Sequence, residues 1–447
     1  MSGASWWCEH AWLGAAVQRG VLVGVDAGRI QSLQAGVDAP PRSAQVLRGL
    51  VLPGLANTHS HAFHRALRGR TQRGRGSFWT WREQMYELAG RLDPDSLGLL
   101  ATAVFAEMAL AGVTAVGEFH YVHHHPNGQR YDDPNAMSTA LIQAAQAAGV
   151  RITLLDTCYL AGGFGQPAAG VQARFSDGDA AGWAERVNAL QRTHAAAAGV
   201  RVGAAIHSVR AVPADQIGTV ARWAADHEAP LHVHLSEQQA ENADCLAHYG
   251  RTPTQVLHAA GALGPRTTAV HATHLTGADI ELLGGAGCGV CLCPTTERDL
   301  ADGIGPARRL FEAGASLSLG SDGHFTIDLF EEARATELDE RLATEARGHW
   351  SAAELLTAAS AAGQASLGWP DAGELRVGAR ADLVALRLDS VRTAGCGASA
   401  ETAVFAGSSA DVTDVVRDGV AVVTGGRHLT LGDVAGRLTE AVGRLVR

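Results

Sequence analysis

Apolar positions in this chain gather into short runs, separated by longer stretches in which they return every three or four residues. The runs lie around Leu50 to His61, Thr114 to His120, Arg151 to Leu160, Val200 to Ser208, Pro230 to Ser236, Thr267 to His274, Gly289 to Thr295 and Ser316 to Ser321. Runs of this kind, bounded by turn residues, predict buried strands, and the stretches between them predict helices with one apolar face. The connector after the first run shows the pattern: Asp93 caps, Pro94 suits the first helical position, and Leu97, Leu100, Val104, Phe105 and Met108 form one face before Gly112 stops it. Eight such alternations predict an α/β fold, a (β/α)8 TIM-like barrel over residues 51–370 whose chemistry sits at the C-terminal ends of its strands.

The two ends of the chain carry a different rhythm. Val21-Leu-Val-Gly-Val-Asp-Ala-Gly, Ala381-Asp-Leu-Val-Ala-Leu-Arg-Leu and Val412 to Thr424, with a turn at Asp418-Gly419, read as strands joined by hairpins. Residues 1–50 and 371–447 are therefore expected to combine into a small β-sandwich domain, with 432–447 as a terminal helix. Between Phe119 and Arg130, and between Gly162 and Asp179, the segments after strands two and three are long and rich in Gly, His and Pro, as pocket-forming loops are.

At 447 residues and 46% hydrophobic content the chain can bury a barrel and a second domain, and its net charge of −10 offers no basic run to neutralise phosphates. No nucleic-acid partner is expected, and no membrane partner either, since no apolar run reaches the roughly 18 residues that span a bilayer. Seven scattered cysteines do not form a disulfide framework, and Met-Ser-Gly-Ala-Ser-Trp-Trp lacks the basic-then-apolar pattern of a secretory leader. The expected compartment is the reducing cytoplasm. Cys288-Gly-Val-Cys291-Leu-Cys293 reads as a buried strand rather than a thiolate metal site. All 36 basic residues are Arg, which excludes a Schiff-base lysine and a pair of metals bridged by a carbamylated lysine.

The apolar run into Asn57-Thr-His59-Ser-His61 places two imidazoles on one face of a strand end, because residues i and i+2 point the same way. Three further runs end in Leu231-His-Val-His234-Leu-Ser-Glu237, Val270-His271-Ala-Thr-His274 and Ser321-Asp322. Neutral imidazoles, a carboxylate and one open position are what zinc hydrolysis requires. An ion held by His59, His61, His234 and Asp322 would lower the pKa of water from about 15.7 to about 7. Asp322 is placed to accept the proton, Glu237 to carry it to a leaving nitrogen, and His271 to stabilise charge on the substrate. Two alternatives stay open: Glu237 as a helix-start carboxylate, and His274 rather than His271 as the inward histidine.

This combination resembles the amidohydrolase superfamily, in its mononuclear branch that deaminates amidine-like carbons. Phe78-Trp-Thr-Trp-Arg-Glu-Gln-Met-Tyr86, Gly117-Glu-Phe-His-Tyr121, His234-Leu-Ser-Glu-Gln, Val270-His-Ala-Thr-His-Leu275 and Cys293-Pro-Thr-Thr-Glu297 resemble the subgroup that deiminates N-formimino-L-glutamate in histidine degradation. The resemblance implies one Zn²⁺ per chain on His59, His61, His234 and Asp322, and catalytic roles for Glu237, His271 and Asp322. It also implies substrate contacts at His64, Arg82, Tyr121, His207 and Arg210, a small dicarboxylate amidine as substrate, and a homodimer. His64 stands where parts of the family carry Gln, and Arg298 and Asp299 read as a local salt bridge on the rim. A purine, pterin or guanidino substrate on the same machinery is the alternative; Trp79 and Trp81 allow it, while Arg82 and Arg210 favour two carboxylates.

Overall fold

The computed structural model describes residues 4–73 and 75–446. Eight parallel strands, Leu55–Ser60, Val113–His120, Arg151–Cys158, Val200–Ile206, Leu231–Leu235, Thr267–His271, Gly289–Leu292 and Ser316–Leu319, pair in chain order. Helices cross between them and cover the outer face. The ring closes where Ser60 bridges Asp322 in parallel, with the Asp322 amide donating to the His59 carbonyl at 3.0 Å and the His61 amide to the Asp322 carbonyl at 3.3 Å. Closure thus brings the ends of the first and last strands side by side. Gly320 is needed for that approach, since a Cβ there would meet the His59 backbone nitrogen at 2.9 Å and carbonyl oxygen at 2.8 Å.

The apolar run from Leu50 to His61 divides at Gly54. Gln45–Pro53 pairs with Ala4–Trp12 and with Leu383–Leu386, whereas Leu55–Ser60 begins the barrel. A Cβ at residue 54 would lie 2.3 Å from Thr114 Oγ1, so only glycine lets the chain step from one sheet to the other there. The second sheet draws from both chain ends and is one continuous eight-stranded layer. One of its faces gathers Trp6, Val21, Val23, Ile30, Leu47, Val51, Leu383 and Val416 into a core of its own; the other contributes Trp12, Leu50, Leu52, Val384 and Leu386 to the main core. Val434–Leu445 forms the terminal helix, capped by Asp433 and packed on the Pro94–Leu110 helix.

Two buried ion clusters tie these parts together. At the N-terminal end of the third barrel strand, Arg151 is fully buried, pairs with Asp382 and Asp418 of the second sheet, and lies over Trp369. On the opposite side of the same strand's length, Asp156 receives Arg186 Nη2 at 2.7 Å and Nη1 at 2.9 Å, Trp183 Nε1 at 3.1 Å and Ser138 Oγ at 3.2 Å. Arg186 also holds Asp177, at 2.9 Å from Nη2, and His124 Nε2 lies 3.1 Å from the same carboxylate. This knot anchors the loops after strands two and three.

Candidate active site

His59 and His61 stand at the mouth of the first strand, His234 near the end of the fifth, His271 at the end of the sixth and Asp322 just past the eighth. His61 Nδ1–H donates to the Phe119 carbonyl and His234 Nδ1–H to the His207 carbonyl, each at 2.8 Å. These bonds fix the tautomers and leave both Nε2 atoms as bare lone pairs directed inward. His59 Nε2 lies 3.2 Å from His234 Nε2 and 3.3 Å from Asp322 Oδ1, and His61 Nε2 lies 3.4 Å from that oxygen. Lone pairs this close repel one another, and a cation between them removes the repulsion.

The donor atoms of His59, His61 and His234, of His59, His271 and Asp322, and of His61, His64 and Asp322 each lie within 4.8 Å of one another. Burial lowers the His59 pKa and holds His61 and His234 well below the usual histidine range, so all three present the neutral imidazole that a metal requires. Burial pushes Asp322 up, but the surrounding imidazoles of His59, His271 and His61 outweigh it and keep the carboxylate well below its usual range. Imidazole nitrogens, a carboxylate oxygen and no thiolate fit a divalent metal ion. Cys288, Cys291 and Cys293 are buried free thiols and take no part in these groups.

His271, not His274, faces the centre. It is buried, with Nε2 3.8 Å from both Glu237 Oε1 and Asp322 Oδ2 and Nδ1 3.3 Å from Glu297 Oε1. Burial opposes its charge, yet Glu237, Glu297 and Asp322 together hold its pKa well above the usual value. Burial in turn raises Glu237 above the ordinary carboxylate value. The backbone is strained at these positions, with φ of 67° at His271 and 38° at Asp322, a left-handed conformation that non-glycine residues adopt at a cost.

Before these groups opens a cavity with about 640 Å³ of empty space, its mouth included. His64, Arg82, Tyr121, His207 and Arg210 all line it, together with His61, His234, Glu237, His271 and Asp322; His59 lies behind them. Tyr121 Oη is 3.2 Å from His64 Nε2. Arg82 projects from the Phe78–Arg91 helix between the rings of Trp79 and Tyr86, 5.2 and 5.0 Å from their centroids. Arg210 Nη1 is buried and has no hydrogen-bond partner among the described residues. An unpaired buried guanidinium nitrogen in a cavity wall is an open anion contact.

Several side chains of the site escape the sequence reading. Glu297 orients His271 while accepting the Cys293 amide at 2.9 Å. Glu118 accepts Ser60 Oγ at 2.6 Å and the Ala62 amide at 2.7 Å, and burial pushes it to about 8. His324 links Ser60 Oγ, at 3.1 Å, to Ser321 Oγ, at 2.9 Å, and so braces the first strand against the last. The available signal for Glu118 is a lone carboxylate inside an apolar strand. Tyr86, which ends the Phe78–Tyr86 motif without a role assigned to it there, and Tyr159 and Glu241, which lie in no motif, also line the cavity. Arg298 and Asp299 do not pair: Arg298 meets Asp339 at 2.7 Å and Glu331 at 3.2 Å, and Asp299 accepts Gln72 at 2.9 Å, because the short helix Pro294–Asp299 points the two side chains apart.

A family model described as the amidohydrolase family matches residues 50–422. The chain belongs to the amidohydrolase family. Among curated relatives it is 40% identical over 425 residues to the formimidoylglutamate deiminase of Pseudomonas aeruginosa, with 92% of each chain covered. It is 32% identical over 394 residues to the 8-oxoguanine deaminase of the same organism, covering 84% of this chain and 83% of the relative. Among solved structures, an amidohydrolase from Brucella melitensis superposes with a TM-score of 0.92 at 32% identity, covering 99% of this chain and 100% of the other. A zinc-bound adenosine deaminase from Xanthomonas campestris superposes with a TM-score of 0.86 at 23% identity, over 99% and 98% of the two chains, and shares the amidohydrolase fold. No helix among the described residues is long and apolar enough to cross a membrane.

Proposed function

We propose that this amidohydrolase converts N-formimino-L-glutamate and water to N-formyl-L-glutamate and ammonia, as a step of histidine degradation. The observation that carries this reading is one cavity holding a hydrolytic constellation at its floor and two arginines, Arg82 and Arg210, in its walls. The 40% identity to a formimidoylglutamate deiminase supports it. His59, His61, His234 and Asp322 would hold one Zn²⁺ per chain, which lowers the pKa of water and polarises the bond under attack.

The reacting carbon of H₂N⁺=CH–NH–R gains the water oxygen and loses the terminal nitrogen. Asp322 accepts the proton of the attacking water, and Glu237, raised by burial, carries a proton to the departing nitrogen. His271, kept protonated by three carboxylates, donates a hydrogen bond to the oxygen that the reacting carbon gains. Arg82 and Arg210 take the two carboxylates of the glutamyl group as charge-assisted pairs, while Tyr121, His64 and His207 position it. Seven cysteines without disulfide partners among the described residues, six of them buried, support a cytoplasmic enzyme. The homodimer belongs to the same reading and is checked by sedimentation.

Ammonia release from formiminoglutamate, formiminoaspartate, guanine, 8-oxoguanine and cytosine tests the assignment. Formiminoglutamate is expected to dominate, and preference for a ring substrate overturns the reading. Arg210→Met is expected to keep the metal and to lower kcat/KM by at least about 25-fold, since losing a buried charge partner costs on the order of 2 to 5 kcal/mol. An analogue without one carboxylate should suffer much less from one of the two arginine substitutions. Unchanged ratios in both Arg82→Met and Arg210→Met would show that neither arginine reads a carboxylate. Elemental analysis of active protein should give one zinc per chain, because the lysine that bridges two ions in a carbamylated site is absent. Two ions required for activity would contradict it.

A further inference from the structure

Glu241 is a buried carboxylate that the proposed mechanism leaves unused. It lies in the first turn of the Gln239–Tyr249 helix, four residues after Glu237, and lines the same cavity as Glu237 and Arg210. Its residue exposure is 7%, and its Oε1 is buried with no hydrogen-bond partner among the described residues. Arg210, which lines the same cavity, has a buried Nη1 without a hydrogen-bond partner, and among the described residues the two form no ion pair with each other. They nevertheless feel one another: burial pushes Glu241 up, Arg210 pulls it back, and the result is about 7. An acceptor and a cationic donor, both left open in one wall beside the proton-carrying Glu237, match a ligand that offers an anion and an N–H side by side. Buried polar atoms without partners are costly, and a bound ligand is what satisfies them.

An α-amino acid substituted on nitrogen carries that pair on one carbon. Its carboxylate and its N–H flank Cα, and the substituent on nitrogen is the part that reaches the hydrolytic centre. We propose that Glu241 is a substrate contact that accepts a hydrogen bond from the N–H on Cα while Arg210 takes the carboxylate on the same carbon, so that the two select amidines borne by the α-nitrogen of an amino acid. The inference rests on the reading that an N-formimino amino acid is the substrate, and adds a specificity element to it. Guanine-type rings and amidines at the end of a side chain lack the N–Cα–carboxylate arrangement and leave either Glu241 or Arg210 unpaired, a source of strong rejection.

The test compares N-formyl-L-glutamate with its ester isostere 2-formyloxyglutarate, in which oxygen replaces the N–H. Binding to metal-loaded wild type and Glu241→Gln is measured by calorimetry, with zinc content and thermal unfolding as controls. Wild type is expected to bind the amide about 10- to 100-fold more tightly than the ester, as for a charge-assisted hydrogen bond exchanged for a repulsion. Glu241→Gln, whose amide both accepts and donates, should bring the two ligands within about threefold. A full ratio retained by Glu241→Gln, no preference in wild type, or binding of neither ligand overturns the proposal. Neither ligand has to react, so absence of ammonia release from formiminoglutamate counts against the enzymatic assignment alone.

Discussion

Glu237→Gln is expected to lower kcat by about 10²- to 10⁴-fold with zinc content and unfolding temperature unchanged, because the amide keeps the size and hydrogen-bonding end of the side chain but cannot carry a proton. The geometry makes this side chain the natural carrier. It stands 3.8 Å from His271 and is held above the ordinary carboxylate value by burial, so it binds a proton more readily than an exposed glutamate does. Steady-state kinetics with elemental analysis on the same samples decides the matter. A near-normal kcat would mean that Asp322 moves the proton without help.

Arg186→Met is expected to cost on the order of 3 to 5 kcal/mol of folding stability, since it leaves Asp156 and Asp177 buried without their shared cation. Chemical denaturation reads the loss directly. The same knot sets an acid limit. Burial pushes Asp156 up, but the Arg186 charge overrides it and brings the carboxyl down to about 2, below the ordinary value of 3.8. A depressed folded-state pKa gives stability that is present above pH 3.8 and is lost as pH falls toward 2. Wild type should therefore lose unfolding temperature across that interval, and Arg186→Met should show a much weaker dependence there. Equal acid sensitivity in both proteins would place the responsible groups elsewhere.

The barrel and the metal-competent cluster are legible in the sequence because both follow from short-range geometry. Eight apolar runs announce eight strands, and alternation at a strand end suffices to put His59 and His61 on one side. The step between sheets at Gly54 is not legible: apolar residues run from Leu50 to Ala56 on both sides of it, and only a close approach to Thr114 marks the break. The choice between His271 and His274 is also invisible in spacing, since it depends on a left-handed turn at His271 that carries the chain away from the centre. Glu118 and Glu297 lie inside motifs, but their roles are hidden because Ser60 and His271, which they hold, come from other strands; Glu241 reads as an ordinary helix-start carboxylate. Arg298 and Asp299 mislead for the converse reason, as neighbours in sequence whose side chains find other partners across space.

The Arg151 cluster bears on how the molecule is assembled during synthesis. All the metal-competent side chains have left the ribosome once residue 322 emerges, yet Asp382 and Asp418, the counter-charges of Arg151, come 60 and 96 residues later. Until then the floor of the barrel holds a guanidinium with no anion to meet it, which favours an open, hydrated lower end over a dry one. The nascent barrel thus acquires its ligand set first and seals its base last, when the C-terminal strands dock beside strands made at the very start.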